Sequence, residues 1–530
     1  HHILINVFLI FCFFTLIRVT QCQTRWEKRV GSTNRKEAYV SLNIDYDNSY
    51  IIGSSIYPAS GFNYGLFLKT DVNGNLLWEK VISDNTKYFS FKDVVSNQGN
   101  GYIIAGYYQV NDNNEGPILI KMDSCGNKVW CKYYVNENFD RGIFYDVIVL
   151  EDSNILALSQ MYNLNNENKV FLFCFSQNGE LLWKKEYAKR QDYPEIYRPS
   201  VRKLYKFDSY YLISGDCYWA YDDQDLNWLT AMFIKIDSNF NEEWLLPYGY
   251  SDSILGEAKG IVRISDNDFL GYGKHFAEDN TKAVLMRFDA AGNETGYTII
   301  TDEQFSPPTN YNSIHDVWKL NDTLFIAGAN FGPQMEGNPN GEYIFDLSGN
   351  IHQYNSRSGT WGPTTLKKTL DGNYLFGTTI DIGYQRDILL YKLNDSLESV
   401  PFDTIQLYYD SLCPDTILSG EISLDDCMII TGIDNLPTPE EYYTKLKTIP
   451  IKAYPNPANN KINFALENTD KHKNIKLECY DIFGQKVHEQ KIYTGQKETE
   501  ADVSKWGKGI YIVVVKSNGK VVGKTKFVVE

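Results

Sequence analysis

The sequence predicts an all-β protein whose main body is a seven-bladed β-propeller. A short motif recurs along the chain: an apolar run, a polar turn of the form D-x-x-G or S-x-x-G, and a second run that ends in tryptophan. The clearest copies are Gly65 to Lys80, Gly116 to Lys132 and Val170 to Lys184. Their tryptophans are 52 and 53 residues apart. A fixed period near 50 is typical of propellers and other arrays.

Each copy of the motif predicts a β-hairpin, because two β-prone runs flank a short turn that contains glycine. Weaker copies follow, and the last one is Asp387 to Asn394, which makes seven. Two further runs precede each copy, as in Phe91 to Val95 and Tyr102 to Gly106. Each repeat therefore predicts four strands, and seven such units predict a seven-bladed propeller over residues 23–400.

The first residues of the body predict how the ring closes. Trp26 lies 52 residues before Trp78, so it keeps the register of the repeat, whereas the last copy ends after Asn394 with no tryptophan. We expect residues 25–30 to form the outer strand of the last blade, which would remove two exposed strand edges. The D-x-x-G-N turns lack the alternating carboxylates of calcium loops, so hairpin turns are favoured there.

Composition agrees with strands and limits the partners. Aromatic residues make up 15% of the 530 residues, and no long stretch has a helical period of apolar residues. Residues 450–530 hold 14 Lys against 9 Asp or Glu and carry +5, so the remainder carries −21 of the total −16. An acidic body argues against a nucleic-acid partner, because phosphate binding needs a basic face.

The N-terminal stretch predicts export. Ile3 to Ile17 is almost wholly apolar but short for a bilayer, which is typical of a signal peptide, here placed at residues 1–22. No other apolar run is long enough to cross a membrane, so no transmembrane segment is expected in the mature chain. In an oxidising compartment, Cys413 and Cys427 are the best candidates for a disulfide, because they flank a short polar loop outside the repeats.

Residues 401–449 break the repeat pattern and are interpreted as a connector. Leu436 to Glu441 contains prolines two apart followed by charge, which predicts an extended linker. From residue 450 the chain reads as a small antiparallel β-sandwich, with alternating strands and a turn at Phe483-Gly484.

The C-terminal segment resembles a known family. The ordered motifs are Tyr454-Pro455-Asn456-Pro457, Tyr480-Asp481-Ile482-Phe483-Gly484, Gly507-Lys508-Gly509-Ile510-Tyr511 and Lys526 to Val529. They resemble the C-terminal sorting domain of proteins that the type IX (Por) secretion system of Bacteroidetes exports. The resemblance implies an Ig-like sandwich over 450–530, with the type IX machinery as its partner and a secreted or cell-surface location for the chain. It implies no catalytic residue.

The sequence offers no catalytic, cofactor-binding or metal-binding constellation. The body has His275, His315 and His352, of which His315 could face the central channel, although a structural or exposed histidine is favoured. No G-x-S-x-G elbow occurs, and Gly271 and Gly273 lie within a strand repeat. Two functions stay open. The favoured one is a non-catalytic propeller that binds a surface glycan or protein. The alternative is a secreted hydrolase or lyase that acts on polysaccharide at one mouth of the channel, where facing carboxylates would be needed.

Overall fold

A computed structural model describes the protein over residues 25–530, and the predicted signal peptide at 1–22 lies outside the described residues. Within that range the description omits residues 32–34, 59–60, 85–86, 98, 112–113, 136–138, 140, 163–166, 190, 222–225, 250–255, 278–279, 301–311, 331–339, 384, 406, 432–435 and 447. The described chain is all-β apart from one short α-helix and a 3₁₀ turn. Its many small antiparallel sheets give it a propeller-like fold.

The strands of the body form groups of four antiparallel neighbours. In chain order they are β1 (Glu27–Val30), β2 (Glu37–Ile44), β3 (Tyr50–Ile56), β4 (Tyr64–Thr70), β5 (Leu76–Ser83), β6 (Phe89–Ser96), β7 (Tyr102–Asn111), β8 (Asn114–Met122), β9 (Lys128–Tyr134), β10 (Arg141–Val149), β11 (Ile155–Tyr162), β12 (Asn168–Phe175), β13 (Leu181–Tyr187), β14 (Ile196–Lys206), β15 (Tyr210–Tyr221), β16 (Leu226–Asp237), β17 (Glu242–Pro247), β18 (Gly256–Arg263), β19 (Asp268–Ala277), β20 (Asn280–Asp289), β21 (Glu294–Ile299), β22 (Ser313–Lys319), β23 (Leu324–Asn330), β24 (Asn340–Asp346), β25 (Ile351–Arg357), β26 (Thr360–Lys368), β27 (Tyr374–Ile382) and β28 (Gln385–Leu393).

From β2 onward, the strands divide into successive groups of four, and within each group neighbours pair in chain order. The last group holds only β26, β27 and β28, and β1 completes it as the partner of β28. The pairing of Glu27 with Tyr391 and of Val30 with Ile388 confirms the predicted position of the N-terminal strand. The first strands of the groups contact one another in sequence, from β2 to β6 and on to β26, and β26 contacts β2. The series of sheets is therefore closed on itself around its first strands.

The tryptophans of the repeat join one sheet to the next. The indole Nε1 of Trp26 donates to the carbonyl oxygen of Val72 at 3.0 Å, in the D-x-x-G turn of the following sheet. Trp130 and Trp244 make the same bond to the turns of their following sheets, at Gln177 and Ala290. The turn glycine lies against the ring: a Cβ placed on Gly74, for example, would be 2.9 Å from the Trp26 ring. The two marker residues of the repeat are therefore partners across a sheet boundary.

The aspartates of these turns are occupied by their own loops, as the hairpin interpretation predicts. Oδ1 of Asp71 accepts from the backbone N–H groups of Asn73 and Asn75, at 2.8 Å each, and Oδ2 accepts from the amide of Asn75. Gly74 takes a positive φ of 72°, which a residue without a Cβ adopts readily. The same bonds recur around Asp123, Asp237, Asp289 and Asp346.

The segment after the repeats lies along the outer edges of three sheets. Strand β29 (Gly420–Ser423) pairs parallel with β5, and β30 (Met428–Ile430) pairs parallel with β9. Helix α1 (Pro439–Leu446) then packs against β13. We call residues 401–446 the edge strap.

Part of the edge strap contradicts the predicted extended linker, since Pro439 is the first residue of a helix. Proline is favoured at that position because its missing N–H is not needed there. The hydroxyl of Thr438 accepts from the N–H of Glu441, and the Glu441 carboxylate accepts from the N–H of Thr438, which is a capping box. Among the described residues, no helix combines the length and the apolar character that a membrane crossing needs.

The predicted disulfide between Cys413 and Cys427 is wrong. Cys413 is bonded to Cys125 and Cys427 to Cys131, with Cα–Cα distances of 5.1 and 4.8 Å. The short distance between Cys413 and Cys427 in the sequence suggested a local disulfide. In the structure the edge strap lies beside the hairpin of β8 and β9, so each of its two cysteines bonds a cysteine of that hairpin instead. Cys174, Cys217 and Cys479 are free and buried.

The C-terminal segment folds as two further sheets that enclose a core of their own. Their strands are β31 (Ile451–Tyr454), β32 (Lys461–Leu466), β33 (Ile475–Tyr480), β34 (Lys486–Ile492), β35 (Glu498–Asp502), β36 (Gly509–Ser517) and β37 (Lys520–Val529), with a 3₁₀ turn at Thr469–Lys471. The sheet orders are β31-β32-β35 and β34-β33-β36-β37. Inward residues alternate along the strands, and the buried cluster contains Phe464, Val513 and Phe527 but no residue before Ile449.

The disulfide pairing is testable on exported protein. We expect a non-reducing digest to yield peptides that link Cys125 to Cys413 and Cys131 to Cys427. The double variant Cys131→Ser/Cys427→Ser should unfold at lower denaturant concentration, because a native disulfide contributes about 2–4 kcal/mol. The matched control is Cys479→Ser, which removes a buried thiol that bonds no other cysteine. A peptide that links Cys413 to Cys427 would contradict the pairing.

Candidate functional site

The first strands of the sheets share a β-bulge at the same level. The register shifts between Tyr39 and Ser41 in β2, and the corresponding shift recurs in β6, β10, β14, β18 and β22, with a longer irregularity in β26. The extra residues are Val40, Lys92, Tyr145, Arg202, Lys259 and His315. A bulge re-aims one side chain of a strand. All six line a central cavity with a volume of about 800 Å³, which is the candidate site.

In three strands the residue after the bulge ties its strand to the next sheet. That residue is aspartate in all three, and each accepts a backbone N–H from the following first strand. The bonds are Leu204 N to Asp146 at 2.6 Å, Leu366 N to Asp316 at 3.1 Å and Val147 N to Asp93 at 3.4 Å. These carboxylates therefore satisfy backbone donors that burial would otherwise leave unpaired, which has a substantial cost.

Asp93 and Asp146 also hydrogen-bond to each other. Burial raises the pKa of Asp93. Burial, and after it the neighbouring charge of Asp93, raises the pKa of Asp146 well above its ordinary value. Two carboxyl groups in contact cannot both ionise in a buried place, so the pair holds a proton between them.

The pKa of Asp316 is shifted in the opposite direction, because its carboxylate faces the ammonium group of Lys203. Burial raises the pKa of Asp316, but the charges of Lys203 and Lys367 outweigh that effect and hold the pKa below the usual value. Lys203 Nζ lies 3.4 Å from Asp316 Oδ1, and the Tyr272 hydroxyl donates to the same oxygen at 2.9 Å. Burial lowers the pKa of Lys203, yet the Asp316 charge holds it above its ordinary value.

His315 lines the cavity, as the sequence allowed, but it is not a base. Its Nδ1 accepts from the backbone N–H of Thr364 at 3.1 Å, so the neutral ring carries its proton on Nε2. Burial, together with the charges of Lys259 and Lys274, lowers its pKa to about 3. At neutral pH the ring is therefore an uncharged donor. His275 bonds the Tyr297 hydroxyl, and His352 bonds Asp346, so the three predicted histidines are not brought together.

Lys92, Arg202 and Lys259 place positive charge at the level of the bulges. Burial lowers the pKa of both lysines, and the charge of Arg202 lowers each further, so Arg202 lies close enough to repel each lysine. Sequence analysis missed this cluster. Its signal was the run that precedes each hairpin, in which Lys92-Asp93, Tyr145-Asp146 and His315-Asp316 occupy the same position.

The sorting-motif residues lie in the C-terminal sheets and mostly serve their fold. Asn456 Oδ1 accepts from the backbone N–H of Val528 at 2.9 Å, which ties the Tyr454-Pro455-Asn456-Pro457 segment to the last strand. Tyr511 packs on Phe527 and donates to the carbonyl of Gly507 at 2.7 Å. Asp481 and Gly484 close the turn between β33 and β34, and Gly509 begins β36.

Comparison with known proteins identifies this C-terminal part. A small two-sheet segment with these motifs is typical of C-terminal sorting domains. Residues 452–530 match the family described as the secretion system C-terminal sorting domain, and they are a sorting domain of the type IX system. Such a domain marks proteins exported to the cell surface or the extracellular space, which is where this chain goes.

Solved structures resemble the body at low sequence identity. No curated protein matches the chain. A Bacteroides caccae protein of unknown function is 10% identical, with a TM-score of 0.34, and the match covers 61% of this chain and 94% of that one. Drosophila Semaphorin 2a is 7% identical, with a TM-score of 0.41 and coverage of 95% and 97%. The GH93 α-L-arabinofuranosidase of Fusarium graminearum is 8% identical, with a TM-score of 0.38 and coverage of 70% and 97%. Similarity at this level carries no argument about activity.

The two kinds of buried aspartate give opposite pH dependence. Because the folded-state pKa of Asp146 is raised, the contribution of this group to the free energy of unfolding falls as pH rises from about 4 towards the folded-state pKa. Asp146→Asn cannot ionise, so its free energy of unfolding should fall less between pH 4 and pH 7. Denaturant titrations at both pH values measure this, and an equal fall in both proteins would contradict the shared proton.

Asp316→Asn is the matched comparison. The pKa of Asp316 is lowered, so its stabilising effect is present at neutral pH and is lost as pH falls below about 4. We expect this variant to lose about 2 kcal/mol at pH 7, between the values for exposed and fully buried ion pairs, and less at low pH.

Proposed function

We propose that the chain is exported cargo whose body is a non-catalytic binding module. The observation that carries this proposal is the use made of the buried carboxylates around the central cavity. Asp93, Asp146 and Asp316 accept backbone N–H groups of neighbouring strands, and Asp316 also faces Lys203. These three carboxylates act as links between sheets. None of them is therefore both ionised and free to attack a substrate in the cavity.

The alternative, a polysaccharide hydrolase or lyase, rests on the Asp93 and Asp146 pair. A carboxyl group with a raised pKa is what a general acid needs. Retaining glycosidases, however, hold their two carboxyl groups about 5–5.5 Å apart, and inverting enzymes about 6.5–9.5 Å apart. Asp93 and Asp146 hydrogen-bond to each other, so their carboxyl groups are closer together than the pair in either class of enzyme. His315, with a pKa of about 3 and Nδ1 already occupied, offers no base in their place.

The sheets of the body are proposed to be seven blades of one propeller. The groups β2–β5, β6–β9, β10–β13, β14–β17, β18–β21 and β22–β25, with β26–β28 completed by β1, supply the blades. The cyclic contacts of the first strands support a closed ring over residues 23–400. We propose that residues 401–449 connect this ring to an Ig-like sandwich at 450–530, and that residues 1–22 are a signal peptide.

The partner of the C-terminal domain is the type IX machinery, and the ligand of the body is proposed to be a surface glycan or protein. The excess of lysine in residues 450–530, against an acidic remainder, supports separate roles for the two parts.

A binding module should retain ligand without changing it. We expect the purified full chain to capture a small set of probes on a glycan and peptide array. It should release no new reducing ends or unsaturated products from polysaccharides of the same composition. Asp146→Asn is the control, because it keeps the links between sheets but cannot act as an acid. Turnover by the wild type that Asp146→Asn abolishes would establish the enzymatic alternative.

The last strand should be needed for export. Phe527 and Val529 are buried in the C-terminal core, and β37 pairs along β36, so a chain that ends at Gly523 exposes apolar surface and loses six of the nine residue pairs between these strands. In a host with the type IX apparatus, we expect this chain to accumulate in the periplasm. The matched control is Val521→Ala, which changes an exposed residue of the same strand. Equal amounts of truncated and full-length protein at the surface or in the medium would contradict the sorting role.

A further inference from the structure

The geometry points to a ligand class for the central cavity: a short oligosaccharide that carries a carboxylate, bound with its charge among Lys92, Arg202 and Lys259. This inference deepens the proposed binding function and rests on it. The three cations come from three different first strands, β6, β14 and β18, and each is the extra residue of its bulge. One structural device therefore turns all three toward the same cavity.

The positive charge of this cluster is only partly neutralised. Arg202 Nη2 lies 3.1 Å from Asp216 and 3.6 Å from Glu257, and Glu257 is also the partner of Lys259 and of Lys274 at 3.2 Å. Two carboxylates thus face three cations, Arg202, Lys259 and Lys274. Arg202 Nε is buried and has no acceptor among the described residues.

Lys92 makes no ion pair with any described residue. Its ammonium group lies over the rings of Tyr107 and Tyr145, 5.6 and 5.8 Å from their centroids. Such contacts stabilise a cation but do not cancel its charge. A bound anion would supply the missing counter-charge, and it would relieve the repulsion between Lys92 and Arg202.

The rest of the lining suits a small hydroxylated molecule. The volume of about 800 Å³ lies in the range of small-molecule sites and is too small for a folded partner. His315 presents a neutral Nε2–H, and Tyr145 presents a hydroxyl group, both of which can pair with sugar hydroxyls. Trp318 and Phe207 line the same cavity and add apolar ring surface. A hydroxylated ligand that carries carboxylate charge matches this combination better than a neutral or an apolar one.

Calorimetric titration of the full chain tests the inference with a galacturonate trimer, and with a galactose trimer as its neutral counterpart. We expect the uronate trimer to bind at least about tenfold more tightly than the neutral trimer, and more weakly as salt is raised. Lys92→Gln and Lys259→Gln should each weaken binding by about tenfold, the effect of losing one charge-assisted hydrogen bond. Lys473→Gln, at an exposed position of the sorting domain, should leave the affinity unchanged.

The outcomes separate this inference from the proposed function. Equal affinity for both trimers, or no effect of either cavity variant, would overturn the inference, and so would tighter binding of an acidic peptide of equal charge. Array binding of other ligands would then still support a binding module, whereas polysaccharide turnover would contradict the binding module itself. Circular dichroism melting establishes that each variant is folded, and Lys259→Gln decides the question if Lys92→Gln does not fold.

Discussion

The contact between a tryptophan and the turn of the following sheet is the interaction on which the body depends. At three sheet boundaries, those of Trp26, Trp130 and Trp244, an indole N–H donates to a turn carbonyl of the next sheet, and a glycine lies against the ring. A single sheet with an apolar face open to water would not be stable alone. Each repeat supplies one sheet, and the next repeat along the chain supplies the sheet that covers it. Because Trp26 bonds the turn of the first repeat, the N-terminus joins the last sheet and the first.

The same coupling explains how the weaker repeats survive. In the fourth repeat Phe240 takes the place of the turn glycine, with a positive φ of 65°, and its ring lies 4.6 Å from that of Trp183. In the sixth repeat Gly349 lies instead against Thr298 and Ile300, where no tryptophan precedes it. Where the turn glycine or the tryptophan is replaced, the replacing residue makes apolar contact with the partner that remains. The repeat is therefore harder to recognise in the sequence, although the two sheets still pack together.

Sequence analysis could predict what is periodic and could not predict what is formed between distant elements. Repeat spacing located the strands, the N-terminal strand and the hairpin turns, since each follows from local pattern. The disulfides were missed because Cys413 and Cys427 meet the β8 and β9 hairpin only after the edge strap has packed there. Helix α1 was missed because its prolines suggested an extended chain, although Thr438 and Glu441 form a cap. The charged cavity requires a bulge at the same level in several strands, and a bulge has no dependable mark in one sequence.

The edge strap also determines how a pull on the C-terminal domain would reach the body. Tension along the chain from residue 450 would act first on α1, then on β30 and the Cys131–Cys427 bond, and only after these on β29 and the Cys125–Cys413 bond. The short parallel strands lie along β9 and β5, so a force along them must shear several hydrogen bonds together. Because the Cys131–Cys427 bond is covalent, a load that has sheared β30 would pass into β9, and the second repeat would carry it before β29 does.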